Sequence, residues 1–193
     1  MRSMALTLLL LAAPAFAETP AAAPAAPPKP AEQPVNFNVP AAAEADVASI
    51  DAIMAALYDV ISGPPGKARD WNRMRSLFVP TARMIPVGQR PDGSSGMRLL
   101  GVNDYVASSG PLLLEKGFHE REVARRVEQF GAIAHVFSTY EAKIEKDGVT
   151  MRGINSLQLM HDGKRWWIVS LMWQAEHGEV KLPAKYLATP PKG

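Results

Sequence analysis

The sequence predicts an α+β fold: a curved antiparallel sheet shaped into a cone, with about three N-terminal helices packed on its concave face. Two observations carry this prediction. From His119 to Gln174 four short amphipathic runs are joined by tight turns at Phe130-Gly131-Ala132, Asp147-Gly148 and Asp162-Gly163. Asp-Gly is a strong hairpin signal because both of its positions tolerate positive φ. The first half instead repeats its apolar residues at helical spacing. Helices laid across the hollow of a curved sheet make a pocket.

The N-terminus reads as a targeting segment. Arg2 supplies a positive start, Met4 to Ala13 an apolar core, and Ala15-Phe16-Ala17 a cleavage site that would leave Glu18 as the mature N-terminus. Residues 1–17 are therefore expected to be a cleavable signal peptide, and the protein periplasmic or secreted. This core is shorter than the roughly 20 apolar residues that span a bilayer, and no later stretch is long and apolar enough, so no membrane span is expected. Residues 18–43 are dominated by Ala and Pro and read as a semi-rigid linker. The folded domain is expected over residues 44–189.

Composition narrows the chemistry. The chain has no cysteine, so stability must come from its core, and redox thiols and thiolate metal sites are excluded. A net charge of +2 with dispersed basic residues gives no reason for a nucleic-acid partner. The four histidines, His119, His135, His161 and His177, show no zinc-like spacing, so no metal site is expected, nor any other cofactor.

Within the domain, Val47, Ile50, Ile53, Met54, Leu57 and Ile61 form one apolar stripe and predict a helix from about Ala45 to Ile61, ended by Ser62-Gly63-Pro64-Pro65-Gly66. Asp70 is placed to cap a second, short helix with Trp71, Met74, Leu77 and Phe78 on its apolar side. On that helix Arg69, Arg73 and Arg75 read as a solvated face or an anion contact. Ala82 to Val87 reads as a strand, and Gly88 to Gly96 as a loop or wide hairpin. A third helix is expected from near Asn103, broken at Gly110-Pro111 and finished by Gly117.

If the meander turns are two-residue loops, the register follows. Tyr140 would face Asn155, Ser138 would face Leu157, Asn155 would face Ser170, Leu157 would face Ile168, and Val127 would face Val136. One face would then carry Val123, Val127, Val136, Leu157, Leu159, Trp166 and Ile168, with Arg125, Ser138, Tyr140, Asn155 and Ser170 as its polar groups. The other face would carry Glu122, His135, Phe137, Gln158, Trp167, Leu171 and Trp173. Large aromatics there argue for a homodimer interface built from His135, Phe137, Gln158, Trp167, Leu171 and Trp173.

The order of these elements, with Asp70-Trp71 through Leu77-Phe78, Phe130-Gly131-Ala132-Ile133-Ala134-His135-Val136 and Asp162-Gly163-Lys164-Arg165-Trp166-Trp167-Ile168-Val169, resembles the nuclear-transport-factor-2-like superfamily, its SnoaL-like and ketosteroid-isomerase-like members in particular. The resemblance covers roughly Glu44 to Gln174. It implies a cone-shaped α+β fold, a pocket between helices and sheet, and frequent dimerisation. It implies no particular reaction, because the superfamily contains enzymes and plain binding modules alike.

Enzymes of this resemblance place an acid or base on the concave face or at the pocket mouth, and the register above puts no Asp or Glu on that face. The sequence therefore leans toward a module that holds a small, largely apolar molecule, with Tyr58, Trp71, Arg125, Ser138, Tyr140, Asn155 and Ser170 as pocket candidates. Tyr140 and Asn155 could hold one carbonyl or hydroxyl together, or satisfy each other in the core. An inward Arg125 needs a partner: Asp59, Glu115 or a ligand anion. His119, Glu120 and Glu122 read as a solvated strand start or an acid/base pair. The alternatives are an isomerase, cyclase or dehydratase using Tyr140 with His119 or a helix carboxylate, and a dimeric protein-interaction domain. No residue is singled out as catalytic.

Overall fold

The computed structural model describes residues 37–187. The expected signal peptide and most of the Ala/Pro-rich linker lie outside them. The elements run α1 Glu44–Val47, α2 Ile50–Ile61, α3 Trp71–Leu77, β1 Phe78–Gln89, β2 Ser95–Met97, α4 Val102–Lys116, β3 Phe118–Phe130, β4 Ile133–Ile144, β5 Val149–His161 and β6 Trp166–Ala175, then a 3₁₀ turn at Ala184–Tyr186. The α+β class stands.

The first apolar stripe forms two helices rather than one. Ser49 takes an extended backbone and its hydroxyl accepts the Ala52 N–H at 3.0 Å, capping α2 and closing α1 after one turn. Asp70 caps α3 as expected, accepting the Arg73 N–H at 2.9 Å. The expected break at Gly110-Pro111 does not occur. Helix α4 passes through Pro111, which forfeits only its own bond back to Ala107. Gly110 has a packing reason, since a Cβ there would lie 3.3 Å from the Trp71 indole. Trp71 is thus a helix–helix packing residue.

The three arginines near α3 are not a solvated face. Arg69 is buried and donates to the carbonyls of Ile61 at 2.9 Å, Gly63 at 2.6 Å and Leu113 at 3.3 Å, as well as to that of Lys67. It fastens the Pro/Gly turn after α2 to helix α4. Arg73 pairs with Asp46 and Asp59, and Arg75 donates to Asn103 at 2.8 Å.

The sheet has six strands in the order β2-β1-β6-β5-β4-β3 and is mixed, because β1 runs parallel to β6. The meander β3–β6 is antiparallel as expected. Its register is not the expected one. Ile144 pairs with Val149, so the Asp147-Gly148 turn spans four residues and each partner moves by two. Tyr140 therefore faces Gly153, and Ser138 faces Asn155. Val127 faces Val136, as read from the sequence.

Two β-bulges change which residues look inward. In β6 Leu159 faces Ile168 but Gln158 faces Ser170, leaving Val169 as an extra residue. One extra residue inverts every later side chain. Leu171 and Trp173, expected on the outer face, therefore point into the cone, and Ser170, expected in the pocket, points outward. In β3 the extra residue is Val123: Ala124 faces Thr139 while Glu122 faces Tyr140. Glu120 and Glu122 are thereby turned onto the concave face.

Outer aromatics expected to need a second copy find cover within the chain. Trp167 is buried under Phe37, ring centroids 4.8 Å apart, and the Arg165 guanidinium 3.6 Å from its ring, while its N–H donates to Asp162 at 2.7 Å. Phe137 packs on Tyr186 at 5.0 Å, and the Thr139 hydroxyl donates to the Tyr186 carbonyl at 2.6 Å. The His135 ring lies 3.1 Å from the Ser156 hydroxyl. Gln158 stays exposed.

Candidate functional site

The cone holds a cavity of about 210 Å³. Its wall is mainly apolar, with Leu57 and Met74 from the helices, Leu113 from α4, and Leu171 and Trp173 from β6; the Trp173 ring meets Tyr105 edge-on at 6.1 Å. Six polar side chains open on this space: Glu120 from β3, Tyr105, Ser109 and Lys116 from α4, Tyr140 from β4 and Asn155 from β5. Outside it lies an open groove of about 770 Å³, lined by His119, Arg121, Glu141, Lys143, Arg152 and Glu176 among others. Glu120 and Met151 line both spaces. The Glu120 carboxyl therefore stands at the threshold between an apolar interior and a charged exterior.

Each of these positions has a local cause. Glu120 owes its inward aim to the Val123 bulge, and its backbone is fixed by Ser62 at the end of α2. The Ser62 hydroxyl accepts the Glu120 N–H at 3.0 Å and donates to the Tyr58 carbonyl at 2.7 Å. Tyr140 is let in by Gly153 opposite. A Cβ at residue 153 would sit 2.6 Å from the Tyr140 hydroxyl oxygen and 2.3 Å from the Gln174 carbonyl.

The polar groups form one chain across the cone. The Asn155 amide nitrogen donates to Glu120 Oε1 at 2.9 Å and to the Tyr58 hydroxyl at 3.1 Å. Tyr58 and Ser138 lie 2.7 Å apart, oxygen to oxygen. Ser138 donates to Glu122, and Arg125 closes the chain by pairing with Glu122 at 3.1 Å and Asp51 at 2.9 Å. The partners of Arg125 are thus Asp51 and Glu122 instead of Asp59 or Glu115. Its Nη1 is buried without a hydrogen-bond partner among the described residues. Tyr58, Ser138 and Asn155 are buried; the two ends of the chain reach the surface.

Electrostatics follow from this placement. Burial pushes the Glu120 carboxyl up from 4.5 to about 7, against the Asn155 hydrogen bond, which favours the charged form. Burial, reinforced by the negative charge of Glu120, raises the phenols of Tyr105 and Tyr140 well above the usual range, so both stay neutral donors. Tyr58 is raised by burial as well, opposed by its bonds to Ser138 and Asn155. The Tyr140 hydroxyl makes no hydrogen bond to the described residues, which leaves it free to donate to a guest. No group of three or more His, Cys, Asp or Glu side chains suited to a metal is found among the described residues.

Of the pocket candidates read from the sequence, Tyr140 and Asn155 line the cavity, although they do not face each other across the strands. Tyr58 and Ser138 belong to the chain behind it, and Arg125 sits at its outer end. Trp71 and Ser170 lie elsewhere. In the sequence Glu120 and Glu122 read only as a solvated strand start or an acid/base pair, off the concave face, and Tyr105, Leu171 and Trp173 are missed as cavity walls. A signal for two of these, Glu120 and Glu122, was present. In β6 residues 166–169 and 171–173 are apolar on both faces and carry no such signal; in β3 the large apolar positions before the turn run 118, then 123 and 127. That change from even to odd marks one inserted residue.

Four helices over a curved mixed sheet, with a cavity between, is a fold the chain shares with solved structures. Among solved structures the chain is similar to LinA, at 11% identity and a TM-score of 0.52, over 74% of this chain and 93% of that one. It is also similar to a protein of Kribbella flavida, at 12% identity and a TM-score of 0.51, over 67% and 90% of the two chains. An NTF-2-like protein of Silicibacter pomeroyi matches at 18% identity and a TM-score of 0.46, over 67% and 94%. At such identities the likeness is one of fold alone. No protein-family model and no curated protein matches the chain.

Proposed function

We propose that the chain binds a small, largely apolar molecule in the cone and exchanges a proton with it through Glu120, the chemistry of an isomerase or dehydratase. The observation that carries this reading is the place of the Glu120 carboxyl, at the threshold of an apolar cavity and half-ionised near neutrality. A base of that kind accepts and returns protons at pH 7 with little driving force wasted. The unengaged Tyr140 hydroxyl supplies a neutral donor for an oxygen on the same guest. A cavity of about 210 Å³ admits only a small group, so a larger guest extends into the outer groove. With Glu120 on the concave face, an absence of carboxylates there no longer counts toward a plain binding module. The leader-like N-terminus supports an activity in the periplasm or outside the cell.

The test is hydrogen exchange in D₂O on a panel of small enolisable ketones, followed by NMR. Exchange at the carbon beside the carbonyl should be faster with the wild-type protein than with Glu120→Gln. Equal rates would overturn proton transfer. Native mass spectrometry of the protein from its own compartment then tests binding by itself: a mass lost on denaturation supports an occupied cone.

A further inference from the structure

Counting hydrogens fixes the direction of every bond in the polar chain. Asn155 Nδ2 carries two hydrogens and spends one on Glu120 Oε1 and the other on Tyr58. The Tyr58 oxygen is thereby an acceptor, and its single hydrogen is free for Ser138. Ser138 also has one hydrogen, and the Glu122 carboxylate, which has none to give, receives it. Ser138 must then accept from Tyr58. Each step depends on the one before it, and the sequence of steps starts at Glu122. Arg125 holds the other Glu122 oxygen at 3.1 Å and is held in turn by Asp51.

We infer that Glu122 is a positioning residue: by accepting the Ser138 hydrogen it orders Tyr58, and so makes Asn155 present its amide nitrogen, rather than its oxygen, to Glu120. Take that acceptor away and Ser138 is free to donate to Tyr58. Tyr58 then donates to Asn155, whose amide turns its oxygen inward to receive it and its nitrogen away from Glu120. Glu120 loses the one donor that favours its charged form. In the native arrangement that donor is on Oε1, so Oε2 is the oxygen that takes up and releases the proton.

Charge and hydrogen-bond order act on Glu120 in opposite directions, which makes the inference testable. Removing the Glu122 charge alone cannot raise the Glu120 titration, because taking away a like charge never favours the proton. Losing the Asn155 donor would raise it. Other groups around the carboxyl stay unchanged in the comparison: Tyr105 and Lys116 from α4, Tyr140, Glu141 and Lys143 from β4, and Arg121 and Arg125 on β3. So do Asp51 and Asp59 of α2, His119 beside it on β3, Arg152 on β5, and Glu176 beyond β6.

The experiment is ¹³C NMR titration of the Glu side-chain carboxyls, assigned through Glu120→Gln, in the intact protein. Glu122→Leu and Ser138→Ala should both move the Glu120 midpoint upward, the second with every charge retained. Glu122→Gln, which keeps an accepting oxygen without the charge, should leave it at or below the wild-type value. A fall in Glu122→Leu, or no rise in Ser138→Ala, would overturn the inference. This deepens the proton-transfer reading of the same site, yet its readout needs no substrate. Failure here with ketone exchange intact leaves that reading standing, and the reverse result leaves the positioning role standing.

Discussion

Glu120 on β3 and Asn155 on β5 lie 2.9 Å apart, carboxyl oxygen to amide nitrogen, although β4 runs between their strands. They meet over the point where Tyr140 faces Gly153. A concave sheet brings side chains of alternate strands together above its floor, so the contact depends on the curvature itself. The pair places a weakly acidic carboxyl against the only inward amide in the chain of bonds, and the first prediction concerns the carboxyl.

Glu120→Gln should stabilise the protein at high pH and leave it unchanged at low pH. The folded state holds the Glu120 proton more tightly than the unfolded chain does, with midpoints of about 7 and 4.5. Below pH 4.5 both states are protonated and the site costs nothing. As pH rises through this window the unfolded chain ionises first, so stability falls, and the full cost is present above pH 7. A difference of this size corresponds to on the order of 3 kcal/mol. Urea denaturation of both proteins between pH 4 and pH 8.5 measures it.

Tyr140→Phe and Tyr58→Phe should separate ligand contact from architecture. The Tyr140 hydroxyl has no protein partner among the described residues, so its removal should change stability by less than about 1 kcal/mol. The Tyr58 hydroxyl both accepts from Asn155 and meets Ser138 inside the core. Deleting it leaves buried groups unpaired and should cost about 1–3 kcal/mol. For a guest with a carbonyl, Tyr140→Phe should in turn weaken binding roughly tenfold. Thermal melts and calorimetric titration of the two variants give the comparison.

Gly153→Ala should be disproportionately damaging for one methyl group. The new Cβ would lie 2.3 Å from the Gln174 carbonyl and 2.6 Å from the Tyr140 hydroxyl oxygen, so either the β5–β6 pair or the Tyr140 ring must move. Overpacking of this kind typically costs about 1–3 kcal/mol. If the ring is what moves, Gly153→Ala combined with Tyr140→Phe should recover less than Gly153→Ala with Tyr140→Ala. Melting temperatures of the double variants decide it.

Arg69→Met should destabilise the domain although it removes no ion pair. Arg69 donates to backbone carbonyls of Ile61, Gly63, Lys67 and Leu113, and an apolar side chain of similar reach leaves all four without that donor. A loss of about 2–4 kcal/mol is expected. Arg69→Lys should recover little of it, because a single ammonium group cannot reproduce the planar fork that spans the four oxygens. Urea midpoints of the two variants test this.

Much of the fold was legible because it rests on local chemistry. The Gly131, Gly148 and Gly163 turns, all at positive φ, the Asp70 cap and the stripe of α2 are short-range features, and each formed in its place, although the stripe split at Ser49 and the Gly148 and Gly163 turns span four residues instead of two. The pairing of Val127 with Val136 across the shortest turn formed as well. The parallel pairing of β1 with β6 could not be read this way, since nothing in either strand names its partner.

The site was less legible, and the reason is parity. A strand shows alternate residues to opposite faces, so one bulge residue at Val123 and another at Val169 inverted the inward sets beyond them. By itself the sequence determined the class of fold, the hairpins, the lack of thiol chemistry and the inward place of Ser138, Tyr140 and Asn155. Tertiary structure alone decided that Glu120 and Glu122 face the cone and that Leu171 and Trp173 wall it. It also tied Arg125 to Asp51. Bulge positions and long-range pairings are set by how strands fit a curved core, a property of all the strands together and of no single segment.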